Sequence, residues 1–192
     1  IIRLSINRKT VSYLLFFFLS YFLFLLLWLQ VKDNYAKSIS YAASHITSVL
    51  KDVEFKFIIE DKKKATMQAV FSVFRENKGL KLLSAGFIDT SVYTFNSPLT
   101  FAIIAVFLLA TKNKKQLYFN ALLLLLLLHL FSVVILQTKG ISEFFVQEGF
   151  EEANLINRAL LPFLAEYFFE VLRFFEPFLV GAYIFLRTDE SA

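Results

Sequence analysis

From Val11 to Val31 the chain runs 21 residues without a charge, and Phe16 to Phe18 and Leu25 to Leu27 lie inside that run. At 1.5 Å per residue a helix of this length reaches about 30 Å, the thickness of a bilayer's hydrocarbon. Tyr13 and Trp28 sit near its two ends, where an aromatic belt would lie. The run exceeds the h-region of a signal peptide, and Ser40-Tyr41-Ala42 is a faint cleavage site, so a retained anchor is expected. The period then changes. Tyr35, Ile39, Ala42, Ile46 and Val49 recur at three- and four-residue spacing, which continues the helix as an amphipathic one. Next, Val53, Phe55, Phe57 and Ile59 alternate with Glu54, Lys56, Ile58 and Glu60, the pattern of a strand with one apolar face. Asp61 to Lys64 makes a polar turn, and Met67, Ala69, Phe71 and Val73 form a second alternating set. Arg75 to Gly79 is another turn, after which Leu80 to Phe95 supplies further strand material.

Three more apolar stretches follow. Phe95 to Ala110 is short, opens with Pro98 and carries no charge before Lys112. Proline suits the first turn of a helix, where its missing N–H has no partner to lose. Leu117 to Leu136 contains seven consecutive leucines, Leu122 to Leu128, and reads with the preceding stretch as a membrane hairpin turning at Lys112 to Gln116. The last stretch, Ala159 to Leu186, is interrupted by Glu166, Glu170, Arg173 and Glu176, and Pro177 bends it. It reads as an interfacial helix entering a kinked membrane helix. The expected fold is therefore membrane α-helical, with about four transmembrane helices. A small extracytoplasmic α+β domain is inserted between spans one and two. The parts are 1–31 (cytoplasmic N-terminus and first helix), 32–94 (outer α+β domain), 95–136 (hairpin), 137–158 (acidic outer segment) and 159–192 (last helix and cytoplasmic tail).

Charge sets the direction. Arg3, Arg8 and Lys9 precede the first span, and Lys112, Lys114 and Lys115 fill the hairpin turn, in both cases without an acid. Glu143, Glu148, Glu151 and Glu152 mark the later segment. The positive-inside rule then places both termini and the Lys-rich turn in the cytoplasm. Segment 32–94 carries ten Lys and Arg, but a loop of about 60 residues translocates largely regardless of charge. The overall charge of +4 is thus a topology signal, and nucleic acid is not an expected partner. Composition agrees: 57% of residues are hydrophobic, 18% aromatic, and Phe alone numbers 25. With no Cys, disulfides, zinc–thiolate sites and cysteine nucleophiles are excluded. The chain opens at Ile1 rather than Met, which raises the expectation of a native start upstream.

Candidate chemistry is sparse. Glu166, Glu170 and Arg173 share one helix face by their spacing. Ionisable groups near a membrane interior cost about 2.5–3.5 kcal/mol at mid-bilayer on insertion scales and point to function by default. The stripe faces a partner or a proton path, or it lies at headgroup level with Glu170 and Arg173 as an ordinary ion pair; its depth decides. His129, deep in the Leu-rich span, is open to metal, haem or proton-relay roles, although a lone membrane histidine more often hydrogen-bonds across to a neighbouring helix. Asp52, Glu54, Glu60 and Asp61 stand beside Lys51, Lys56 and Lys62 to Lys64, as on a solvated mixed-charge face. Phosphate loops, G-x-S-x-G and H-E-x-x-H do not occur. No catalytic residue, cofactor or metal is expected. The outer strands are too small to be stable alone, so their apolar face lies against the preceding helix, the acidic segment, the membrane surface or a partner protein. For the last of these, Phe55, Phe57 and Phe71, with the stripe Glu166, Glu170 and Arg173, are the candidate partner-facing residues.

The layout also resembles a family. Asn96-Ser97-Pro98-Leu99 opens the second span, and Phe175-Glu176-Pro177-Phe178-Leu179 leads to Leu186-Arg187. With the N-terminal anchor, the outer strands and the Lys-rich turn, the chain looks like the exosortase H-associated membrane proteins of bacteria. The resemblance implies a bacterial inner-membrane protein acting as accessory partner of an exosortase, a multi-pass transpeptidase that cleaves C-terminal sorting tails. The chain cannot be that enzyme, because it has no Cys. The function expected is that of a non-catalytic membrane adaptor in contact with lipid and with another integral membrane protein. Two alternatives differ in class: a structural subunit of a larger membrane complex, and a small proton-coupled transport protein using Glu166, Glu170 and His129.

Overall fold

The computed structural model describes residues 7–58, 67–74, 81–88, 94–110, 115–147, 149, 151–152 and 154–189. The expected turns at Asp61–Lys64 and Arg75–Gly79, and Lys112 and Lys114 of the Lys-rich turn, lie outside them. Helix α1 spans Arg8–Lys51, 44 residues and about 66 Å. Neither Gly nor Pro occurs anywhere in it, so nothing interrupts the hydrogen-bond ladder. Asn7 caps its start by accepting a hydrogen bond from the Lys9 amide at 3.3 Å. At its end Asp52 takes φ 50°, in the left-handed region. The Val53 amide then reaches back to the Ser48 carbonyl at 3.2 Å, closing a Schellman turn that buries Val53.

Three strands follow as an antiparallel meander, β1 (Glu54–Ile58), β2 (Met67–Phe74) and β3 (Lys81–Ile88), in the order β1-β2-β3. Phe55 pairs with Phe71 and Phe57 with Ala69, while Met67 pairs with Ile88. Helix α2 (Ser97–Ala110) has Pro98 in its first turn and no charge along its 14 residues. Helix α3 (Lys115–Gln147) runs 33 residues, well past the expected end at Leu136. The remainder alternates between helix types: a π-helical stretch Ile156–Leu160, α4 (Leu161–Glu166), a second π-helical stretch Tyr167–Leu172, and α5 (Arg173–Asp189). Each π stretch lies just upstream of a proline, Pro162 or Pro177. Proline donates no amide and its ring crowds the carbonyl four residues earlier, which for Pro162 is that of Arg158 inside the first π stretch, so a widened turn there relieves the clash.

The chain divides into two compact units. The first gathers 1–31, 95–126 and 174–192. Its core is Ile104, Tyr118, Ala121, Val180 and Ile184, with Phe101, Phe107, Leu117 and Tyr183 packed around them. Phe24 of α1 meets Phe101 of α2 at a ring-centre distance of 5.6 Å. Gly181 lets α5 approach α2 closely: a Cβ there would stand 3.2 Å from the Ile103 Cγ2 methyl. The second unit gathers 32–94 and 127–173, centred on Ile39, Ala43, Val133 and Val134.

The expected fold class needs correction. Among the described residues two helices, α1 and α3, are long and apolar enough to cross a membrane, not four. Helix α2 is apolar but covers only 14 residues, against the roughly 20 a bilayer requires. The last stretch is not one membrane helix; its regular part, α5, is 17 residues with Glu176 and Arg187 in it. The separate α+β domain at 32–94 is corrected too. The described chain is predominantly helical, with five α-helices, and the helix meant to complete that domain is the second half of α1. Residues 32–94 also cluster with 127–173 instead of closing a core alone. Periodicity reports which face of an element is apolar but does not choose among the elements that could cover it; the clustering with 127–173 includes the acidic segment 137–158, one of the covers expected.

The left-handed turn at Asp52 yields a stability test. Asp52→Gly removes the Cβ penalty at φ 50° and should raise or preserve the thermal midpoint in detergent, whereas Asp52→Val should lower stability by about 1–2 kcal/mol.

Candidate functional site

In the second unit α1 and α3 lie side by side in the same direction, since successive residues of one meet successive residues of the other. What makes them close is the set of side chains α1 turns inward. Ala36, Ser40 and Ser44, with Ala43 and Thr47, are all buried. Small residues four apart let two helix backbones approach, and polar rungs then bridge them. The inward face differs from the expected one. Tyr35 and Ile39 do pack against α3, but Ala42, Ile46 and Val49 are exposed, Val49 at 82%. Apolar periodicity selected the larger side chains, while the packing selected the smaller ones one position along.

The rungs are specific. The Tyr35 hydroxyl and His129 Nδ1 are 2.8 Å apart, and His129 is 2% exposed. One turn to two turns further along, the Gln137 Nε2 donates to the Ser40 carbonyl at 3.4 Å. The Thr47 hydroxyl lies 2.9 Å from the Ala43 carbonyl and 3.0 Å from Gln137 Oε1, so one proton is shared between two acceptors. Beyond the end of α1's apolar packing, the Lys51 ammonium contacts both carboxylate oxygens of Glu151, at 3.0 and 3.2 Å. Asn157 donates to the same carboxylate at 3.0 Å and thereby ties the π-helical stretch Ile156–Leu160 to the end of α1. The hydroxyls of Ser40 and Ser142 are buried and make no hydrogen bond among the described residues.

The first unit holds a second buried polar group. Glu176, 3% exposed, accepts a hydrogen bond from the Thr100 hydroxyl at 3.0 Å. Thr94, Ser97 and Pro98 are buried at the same end of α2. A carboxylate there lies at the positive end of the α2 dipole, where the first amides of the helix have no intrahelical acceptor. The sequence shows Glu176 as an interruption of the last apolar stretch and as part of the Phe175–Leu179 motif, and nothing in it singles out Thr100.

The sequence-derived candidates are distributed differently. The backbone register sets Phe55 opposite Phe71 and Phe57 opposite Ala69; the side chains of the three Phe residues lie outside what the structure describes. Glu166, at the end of α4, and Glu170, in the second π stretch, are exposed. Arg173 opens α5, and its side chain too lies outside the described residues. Around the two carboxylates stand exposed apolar groups: Phe163 at 63%, Tyr167 at 43% and Val171 at 37%. His129, by contrast, is enclosed and bonded across to α1, the arrangement usual for a solitary membrane histidine. Among the described residues no group of three or more His, Cys, Asp or Glu is placed to hold a metal ion. Chemically the rungs can hold helices in register; none of them assembles a nucleophile with a base and its orienting partner.

No family model, curated protein or solved structure matches the chain.

Two substitutions separate satisfied from unsatisfied buried polar groups. Tyr35→Phe leaves His129 without its 2.8 Å partner and should cost about 1–3 kcal/mol; adding His129→Leu should recover part of that loss, as a thermal double-mutant cycle in detergent would read. Ser142→Ala removes a buried hydroxyl that makes no bond and should stabilise by about 1 kcal/mol in the same assay.

Proposed function

We propose that the chain is a non-catalytic integral membrane accessory protein whose work is to dock another integral membrane protein. The observation that carries this is the surface around Glu166 and Glu170. Two exposed carboxylates stand there among exposed Phe163, Tyr167 and Val171, a mixture suited neither to bulk water nor to hydrocarbon. A protein partner offering apolar contacts and a cation satisfies both demands at once. Phe55, Phe57 and Phe71 of the meander belong to the same proposed contact.

The location we propose is a bacterial inner membrane, with the N-terminus cytoplasmic. Two helices are long and apolar enough to cross a membrane. Both start at basic, acid-free clusters, Arg8-Lys9 for α1 and Lys112-Asn113-Lys114-Lys115 for α3. They run in the same direction where they pack together, so the positive-inside rule gives one consistent orientation for both. The acids Glu143, Glu151 and Glu152 fall at or beyond their far ends. Resemblance to the exosortase H-associated proteins supports an exosortase as the partner and protein sorting as the process served.

Crosslinking in native membranes followed by purification in a mild detergent tests the proposal. Recovery of the chain with a second integral membrane protein is expected, and Glu166→Gln with Glu170→Gln should lower that recovery severalfold at unchanged yield of the chain itself. A transpeptidase as the recovered protein supports the sorting role, and a large multi-subunit assembly supports the structural-subunit alternative. Isolation of the chain by itself under these conditions would overturn both.

A further inference from the structure

Within the first unit, the start of α1 and the second half of α2 leave a groove of about 410 Å³, a size within the usual range for small-ligand sites. Tyr13 and Phe17 line it from α1, and Ile103, Val106 and Phe107 from α2. Apart from the hydroxyls of Thr10 and Tyr13, the lining is hydrocarbon. Immediately before Thr10 stand Arg8 and Lys9, both exposed, and Lys115 at the start of α3 is exposed as well. Neither α2 nor α1 before Asp33 carries an acid. The groove is flanked on α1 by outward-facing Leu15 and Leu19, at 66% and 70% exposure, in the stretch apolar enough to cross a membrane.

We infer that this groove holds an acyl chain of an anionic phospholipid, whose phosphate is met by Arg8 and Lys9. A long hydrocarbon chain matches a slot with almost no hydrogen-bonding capacity. The charge complement selects the headgroup, because two cations follow the groove's hydroxyl-bearing end without a competing carboxylate on either lining helix. A soluble metabolite would leave its polar groups unpaired there. A partner helix would find no small-residue surface to pack against on this side, whereas an anionic headgroup finds both its charge and a route for its tail. Basic pockets between membrane helices on the cytoplasmic side take acidic lipids for the same reason. This site stands independently of the adaptor role.

Native mass spectrometry of the full chain, released from nanodiscs of equimolar phosphatidylglycerol and phosphatidylcholine, measures the selection. Preferential retention of phosphatidylglycerol is expected. At roughly fivefold per basic side chain, Arg8→Gln with Lys9→Gln should reduce that preference by about 25-fold while leaving some phosphatidylcholine bound. Val106→Trp fills the slot and should abolish retention of both lipids. Should that variant fail to fold, a phosphatidylglycerol carrying a photoreactive group on its acyl chain decides the matter on the wild type: labelling should fall on residues 10–17 and 103–107. Equal retention of the two lipids, retention indifferent to Val106→Trp in a folded variant, or labelling elsewhere would each overturn the inference.

Discussion

The structure depends on how closely α1 and α3 can approach. Along their shared length Ile39 and Ala43 of α1 pack with Val133 and Val134 of α3, Ser40 and Thr47 bond Gln137, and Ala36 and Ser44 of α1 are buried as well. Side chains this small contribute little hydrophobic free energy each; what they permit is backbone proximity, and with it dispersion contacts and short interhelical hydrogen bonds. Proximity also makes the register strict. Sliding α3 by one residue would break the Tyr35–His129 and Thr47–Gln137 hydrogen bonds together, at about 1 kcal/mol each. The Lys51–Glu151 pair fastens the far end, with Asn157 on the same carboxylate.

Nearer its start, α1 leaves large apolar side chains outside: Leu15, Leu19 and Phe22 are each at least 60% exposed. Row upon row of such groups would be unfavourable in water and is at ease in lipid.

Some of this was legible in the sequence. The uncharged run from Val11 announced a long helix, Pro98 marked the start of α2, and the solitary His129 pointed to a bond across to another helix. The inward face of α1 past Ile39 was not legible, because a stripe of Ala, Ser and Thr carries almost no hydropathy signal. Lys51–Glu151 and Thr100–Glu176 join residues 100 and 76 positions apart, and nothing local announces them. The count of membrane-crossing helices was misjudged because composition was weighed without continuity. The last apolar stretch has hydrophobic residues enough, but its two prolines accompany π-helical stretches that divide it. The candidate partner-facing residues were chosen for charge and for strand alternation; the polar seam lay between helices whose pairing no single-sequence pattern encodes.

Thiol crosslinking tests the seam most directly, and the chain's lack of native cysteine makes it clean. Thr47→Cys paired with Gln137→Cys, treated with a short bifunctional reagent in carbonate-washed membranes, should give an intramolecular product, while Thr47→Cys paired with Leu123→Cys should not. Efficient linkage of the second pair in place of the first, or recovery of the protein in the wash instead of the membranes, would contradict the account.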